Sequence, residues 1–227
     1  VEGAKRVALL EAELNSRLVM IGGYMLKNNE HLLRIGIDPR HPELTDWPAV
    51  YRHVGAYEAS KLEAHFATLQ VMSTKGGKVT VVHPATVCGH SRTGHILDGQ
   101  PLVALIRNLA QGKLAAVPGT AEHWLPLVTV DYLVELVAAC AFDAAMVGKE
   151  LLALDDQSPN LRELLGQVAQ PMGLKPPRHH ISLRLLKLLL RIPPVARFLN
   201  TDAEALDFIQ TTRFDTAAVE QFANRHG

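Results

Sequence analysis

Three short apolar runs constrain this chain more than any other feature: Leu18-Val19-Met20-Ile21, Lys78-Val79-Thr80-Val81-Val82-His83 and Leu151-Leu152-Ala153-Leu154. The first is closed by Gly22-Gly23 and the second by Pro84. A strand with one wet face alternates apolar and polar residues, whereas a strand covered on both faces of a parallel sheet reads as a continuous apolar run. Helix-patterned sequence lies between the runs. Residues 1 to 15 place Ala4, Val7, Ala8 and Leu14 on one face, and the stretch from Gly55 to Met72 is rich in Ala, Leu, Glu and Lys. Further helices are predicted over residues 97–111 and from Asp131, as N-cap, to about Val147. Residues 27–48, polar and proline-bearing, read as a loop, and the sequence beyond Pro159 is mostly helical. Helices alternating with buried strands are the pattern of an α/β fold with a parallel sheet.

Charge and cysteine content narrow the function classes. With 23 basic and 23 acidic residues the net charge is zero, which argues against a nucleic-acid partner. No run approaches the roughly 20 apolar residues of a transmembrane helix. Two cysteines, Cys88 and Cys140, cannot build a disulfide framework, so a cytoplasmic location is the expectation. Cys88 reads as a small packing residue. No metal site is expected, because His179-His180 are adjacent and His90 and His95 lack clustered cysteine or carboxylate partners.

The chemistry-bearing signal is Tyr57-Glu58-Ala59-Ser60-Lys61. A spacing of four puts the phenol and the ammonium on one helical face, one turn apart. Phenols ionise near pH 10, and a neighbouring ammonium stabilises the phenolate, which makes such a pair a general acid or base. Four tyrosines and nine lysines produce a Tyr-x-x-x-Lys by chance about 0.16 times in a chain of this composition, so the spacing alone leaves a solvated surface pair equally open.

The surrounding sequence resembles the extended short-chain dehydrogenase/reductases, and within them the fatty-acyl and thioester reductase branch. Tyr57-x-x-Ser60-Lys61 is similar to the family's catalytic Tyr-x-x-x-Lys. Val82-His83-Pro84 with Thr86-Val87-x-Gly89-x-Ser91-x-Thr93-Gly94 resembles its Arg-Pro, glycine and Ser-x-Thr-Gly pattern after the sixth strand. Val128-Thr129-Val130-Asp131-Tyr132 looks like its Val-Asp-Tyr segment, and Val1-Glu2-Gly3-Ala4 like its Asn-Val-x-Gly-Thr helix without the first residue.

The resemblance implies a partial Rossmann-like sheet over residues 1–96, and a mostly helical substrate-binding portion over 97–227 that shares the strand near 150–154. It implies NAD(P)-dependent reduction of a carbonyl or thioester on a hydrophobic acyl substrate, free or carrier-bound. Tyr57 would deliver the proton, and Lys61 would hold the nicotinamide ribose and stabilise the Tyr57 phenolate. Pro84, Ala85, Thr86 and Val87 would line the nicotinamide, NADP or NAD. Nucleotide-sugar epimerases and dehydratases share the same pair, and a degenerate binding protein is a third reading.

Two residues depart from the pattern. Gly22-Gly23 stand where the family carries a Ser or Thr donor, leaving Tyr24 or a water to replace it, and His83 stands where arginine is common. No Gly-x-Gly-x-x-Gly or Gly-x-x-Gly-x-x-Gly occurs, so the expectation is that the first four strands, somewhat over ~100 residues with the pyrophosphate turn, precede Val1 and that this piece alone is inactive. Arg184, Lys187 and Arg191 form a basic stripe within Ile181–Ile192, too short to cross a bilayer. It reads as a packed amphipathic helix, an acyl-pocket wall or a peripheral membrane contact.

Overall fold

The computed structural model describes residues 1–201 and 203–226. In chain order the elements are α1 (Glu2–Glu13), β1 (Arg17–Ile21), α2 (Asn29–Arg34), α3 (Trp47–Lys75), β2 (Lys78–Pro84), β3 (Thr86–Cys88), α4 (Pro101–Ala110) and β4 (Val117–Pro118). They continue with β5 (Leu127–Thr129), α5 (Val130–Phe142), β6 (Glu150–Ala153), α6 (Leu161–Ala169), β7 (His180–Ile181), α7 (Leu183–Leu190), α8 (Pro193–Leu199) and α9 (Ala217–His226). The chain forms two compact units. The first comprises residues 1–85, 132–153 and 216–227, the second residues 86–131 and 154–215.

The first unit is built on the three apolar runs. They pair as a parallel sheet in the order β1-β2-β6, with Leu18 to Ile21 beside Val79 to Val82 and Val81 to Pro84 beside Glu150 to Ala153. Val81, Val82, Leu151, Leu152 and Ala153 are all buried, as continuous apolar strands require. Helix α1 packs against α3, and α9 against β6. Residues 27–48 are more ordered than their composition suggests. Asn28 accepts a hydrogen bond from the backbone N–H of His31 at 3.0 Å and caps α2, which lets Leu32, Ile35 and Ile37 join a core with Val50, Ala59 and Leu62 of α3. Helix α3 begins earlier than Gly55 and bends there. Gly55 has φ +83°, a conformation that costs side-chain-bearing residues, so the helix restarts just before Tyr57.

The second unit holds two small parallel pairs, β3 with β5 and β4 with β7. Its core gathers Leu102, Leu109, Val117, Leu125, Leu161 and Leu165 with residues of α7 and beyond. Trp124 is wholly buried; its indole N–H donates to the Thr212 carbonyl at 3.0 Å, and the Arg213 guanidinium lies 3.9 Å from its ring centre. The helix expected to start at an Asp131 cap starts instead at Val130, with Asp131 in its first turn.

Candidate active site

In α3 the inward positions are Ala59 and Leu62, so their helical neighbours Tyr57 and Lys61 both face outward on one side. Tyr57 is 62 % exposed. Among the described residues neither the Tyr57 hydroxyl nor the Lys61 ammonium has a hydrogen-bond or ion-pair partner, while the carboxylates beside them are taken. Glu58 lies 2.5 Å from His31 Nε2, and Glu63 accepts from the Tyr51 hydroxyl at 3.0 Å. Ser60, between the pair, turns its hydroxyl back to the Tyr57 carbonyl at 3.0 Å. The phenol and the ammonium are therefore free to meet a ligand and are not neutralised by their own helix.

The end of β2 is organised around His83, which is wholly buried. Its Nε2 lies 3.1 Å from Glu150 Oε2 on β6, and the Lys27 ammonium reaches the same oxygen at 3.0 Å. The hydrogen bond from His83, and then Lys27, hold the Glu150 carboxyl down at about 2 against the opposing effect of burial. His65 of α3 packs its ring 5.5 Å from that of His83. Burial, reinforced by His83, pushes His65 down to about 4, so it is neutral at pH 7. His83 Nδ1 faces Gly22: a Cβ built on Gly22 would fall 2.5 Å from Nδ1 and 2.9 Å from Cε1. The two departures from the family pattern thus form one arrangement, in which a bare backbone at Gly22 makes room for the imidazole. Tyr24 is buried, 6 % exposed.

Pro84 and Ala85 close the first unit's sheet beside Ala153, whose carbonyl accepts from the Ala85 N–H at 2.9 Å. Thr86 and Val87 belong to β3 of the second unit, paired with Leu127 and Val128. Thr86 Oγ1 is buried and has no partner among the described residues. The Cys88 thiol donates to the Val128 carbonyl at 3.3 Å and burial pushes its pKa up, as befits a packing residue.

A pairing that the linear sequence does not display joins two of the quoted motifs. Ser91 donates to Asp131 through its backbone N–H at 2.9 Å and its hydroxyl at 2.5 Å. These bonds hold the Asp131 carboxyl far below the usual carboxylate range. The signal was present in the Ser-x-Thr-Gly and Val-Asp-Tyr segments, but only folding brings their 40-residue separation to contact.

The second unit also encloses an apolar cavity of about 230 Å³, lined among others by Leu105, Leu114, Leu125, Leu186, Leu206 and Ile209. Among the described residues Lys113 is the one basic residue of its lining, and its ammonium lies 4.9 Å from the centre of the Phe198 ring.

Residues 26–137 match the male sterility protein family. No curated protein matches the sequence. Among solved structures, the terminal R domain of the myxalamid PKS-NRPS biosynthetic pathway is similar with a TM-score of 0.62 and 17 % identity, over 93 % of this chain and 52 % of that one. The reductase domain of the aureusimine biosynthetic cluster gives 0.59 and 15 %, over 99 % and 58 %. UDP-glucuronic acid 4-epimerase from Bacillus cereus, solved in complex with NAD, gives 0.51 and 11 %, over 84 % and 61 %. The chain spans between about half and three fifths of each of these structures. At these identities the likeness is one of fold.

Proposed function

We propose that this chain, which matches the male sterility protein family over residues 26–137, belongs with the extended short-chain dehydrogenase/reductases and serves NAD(P)-dependent reduction of a carbonyl or thioester on a hydrophobic acyl substrate. The observation that carries the reading is the exposed, unpartnered Tyr57 and Lys61 on one face of α3, with the neighbouring Glu58 and Glu63 engaged elsewhere. The nicotinamide cofactor supplies hydride when bound. Tyr57 holds the proton that the carbonyl oxygen takes up, and Lys61 holds the ribose hydroxyls and favours the phenolate left behind. Pro84, Ala85, Thr86 and Val87 line the nicotinamide, with the Thr86 hydroxyl as a polar contact.

The second unit's cavity supports an acyl substrate over a nucleotide sugar. Its walls are leucine and isoleucine, and a pyrophosphate would need several cations where the cavity has Lys113. A cavity of about 150 Å³ with similar walls takes up benzene, so about 230 Å³ accommodates a longer apolar group.

The test is Tyr57→Phe in protein that oxidises NADPH or NADH with a long-chain acyl thioester or aldehyde. Loss of the proton donor lowers kcat by about 100-fold to 10,000-fold. Turnover equal to wild type would overturn the assignment.

A further inference from the structure

One stretch of the chain concentrates its positive charge. Residues 164–201 contain six of the 23 basic residues and none of the 23 acidic ones, so this stretch carries +6 and the remainder of the chain −6. The same stretch holds the α7–α8 pair, and its side chains divide sharply. The inner faces, with Leu186 and Leu189 of α7 and Val195 and Leu199 of α8, line the apolar cavity. At 100° per residue, Arg184, Leu188 and Leu185 follow one another around an outward arc of about 100° on α7, and Arg191 and Ile192 come directly after the helix end. All five are exposed, as are Arg197 and Phe198 on α8. Lys187, the middle of the basic stripe in the sequence, leaves this arc and pairs with Asp207. Lys113 adds a further cation, over the Phe198 ring.

Isolated exposed leucines are ordinary, but Leu185, Leu188, Ile192 and Phe198 are each about half exposed or more within one short helical pair. Apolar groups flanked by arginines, with Asp207 already engaged by Lys187, are the composition of a helix that lies in the headgroup layer of a bilayer. An acidic protein would satisfy the arginines but would gain little from three contiguous aliphatic side chains beside them. A second copy of this chain would set like charge against like charge across a symmetric contact.

We propose that the outer face of α7 and α8 docks on an anionic membrane surface, with Leu185, Leu188, Ile192 and Phe198 entering the headgroup layer and Arg184, Arg191 and Arg197 meeting lipid phosphates. The proposal does not depend on the catalytic reading.

Sedimentation with vesicles tests it, using phosphatidylcholine alone and phosphatidylcholine mixed with phosphatidylserine. Wild-type chain partitions to the mixed vesicles and not to phosphatidylcholine alone, and added salt weakens the partition. Each basic residue near such a surface contributes about fivefold, so Arg184→Gln, Arg191→Gln and Arg197→Gln together lower the partition coefficient on the order of 100-fold. Leu185→Ser, Leu188→Ser and Ile192→Ser together lower it by roughly tenfold. Because these side chains are exposed, both triple variants keep the wild-type thermal melt by circular dichroism, and Tyr57→Phe binds vesicles as wild type does. The proposal is overturned if wild type stays in solution with both vesicles, binds both equally, or is matched by either triple variant. It is also overturned if the variants instead dissolve a dimer seen by size exclusion without lipid, or abolish capture of an acidic partner protein while leaving vesicle binding intact.

Discussion

The His83 imidazole occupies the space that a side chain at Gly22 would need, its Nδ1 standing 2.5 Å from the Cβ position of that residue. Gly22 directly follows β1 and His83 lies in the neighbouring β2, and Gly22 donates its N–H to the Val82 carbonyl at 2.8 Å, so neither backbone can retreat without breaking that bond. A hydroxyl-bearing residue at position 22 and a histidine at position 83 exclude each other in this sheet.

That exclusion predicts a measurable coupling. Gly22→Ser destabilises the chain by about 1 to 3 kcal/mol through overpacking against a wholly buried ring. His83→Ala is destabilising by itself, because it opens a cavity and removes the hydrogen bond to Glu150. In the double variant the serine fills vacated space, so the two losses add to less than their sum by about 1 kcal/mol, as urea denaturation of all four proteins will show.

Glu150 contributes to acid sensitivity. Its folded pKa of about 2 lies below the unfolded value, so its stabilising effect is present above about pH 4.5 and disappears as pH falls toward 2. Its side chain is 35 % exposed, and solvent screening reduces the effect to roughly 1 kcal/mol. Glu150→Gln should flatten the stability profile in that interval, as thermal melts across the pH range will show.

His65 acts at higher pH in the same direction. Its folded value of about 4 lies below the usual 6.5, so the unfolded chain takes up this proton first and stability declines as pH falls from 6.5 to 4. His65 Nδ1 is buried without a partner among the described residues. An apolar residue of similar size removes both costs: His65→Leu should be near neutral at pH 8 and more stable than wild type at pH 5, by thermal melts at the two values.

The Ser91 clasp predicts a local effect. Ser91→Ala removes the hydroxyl bond to Asp131 and leaves the backbone N–H bond, whereas Asp131→Ala removes both. Limited proteolysis between Gly89 and His95 should therefore accelerate modestly in the first variant and strongly in the second. Equal protection of all three proteins would show that the clasp does not order this segment.

The local readings succeeded where one element's own periodicity carried the information. Uninterrupted apolar runs marked β1, β2 and β6 as buried parallel strands, and a spacing of four placed Tyr57 and Lys61 on one face of α3. The six-residue α2 was missed because a helix so short shows little periodicity and depends on the Asn28 cap and on burial of Leu32.

The α/β class, the catalytic candidates and the family pattern were legible in the linear chain, since each is written in residues close to one another. Folding alone makes Gly22 and His83 one arrangement, turns Asp131 to Ser91 instead of its helix cap, and pairs Lys187 with Asp207 while Arg184 and Arg191 face outward. The physical reason is distance along the chain. His83 meets Glu150 across 67 residues and Ser91 meets Asp131 across 40, and such contacts depend on how packed elements approach, which no local pattern of side chains encodes.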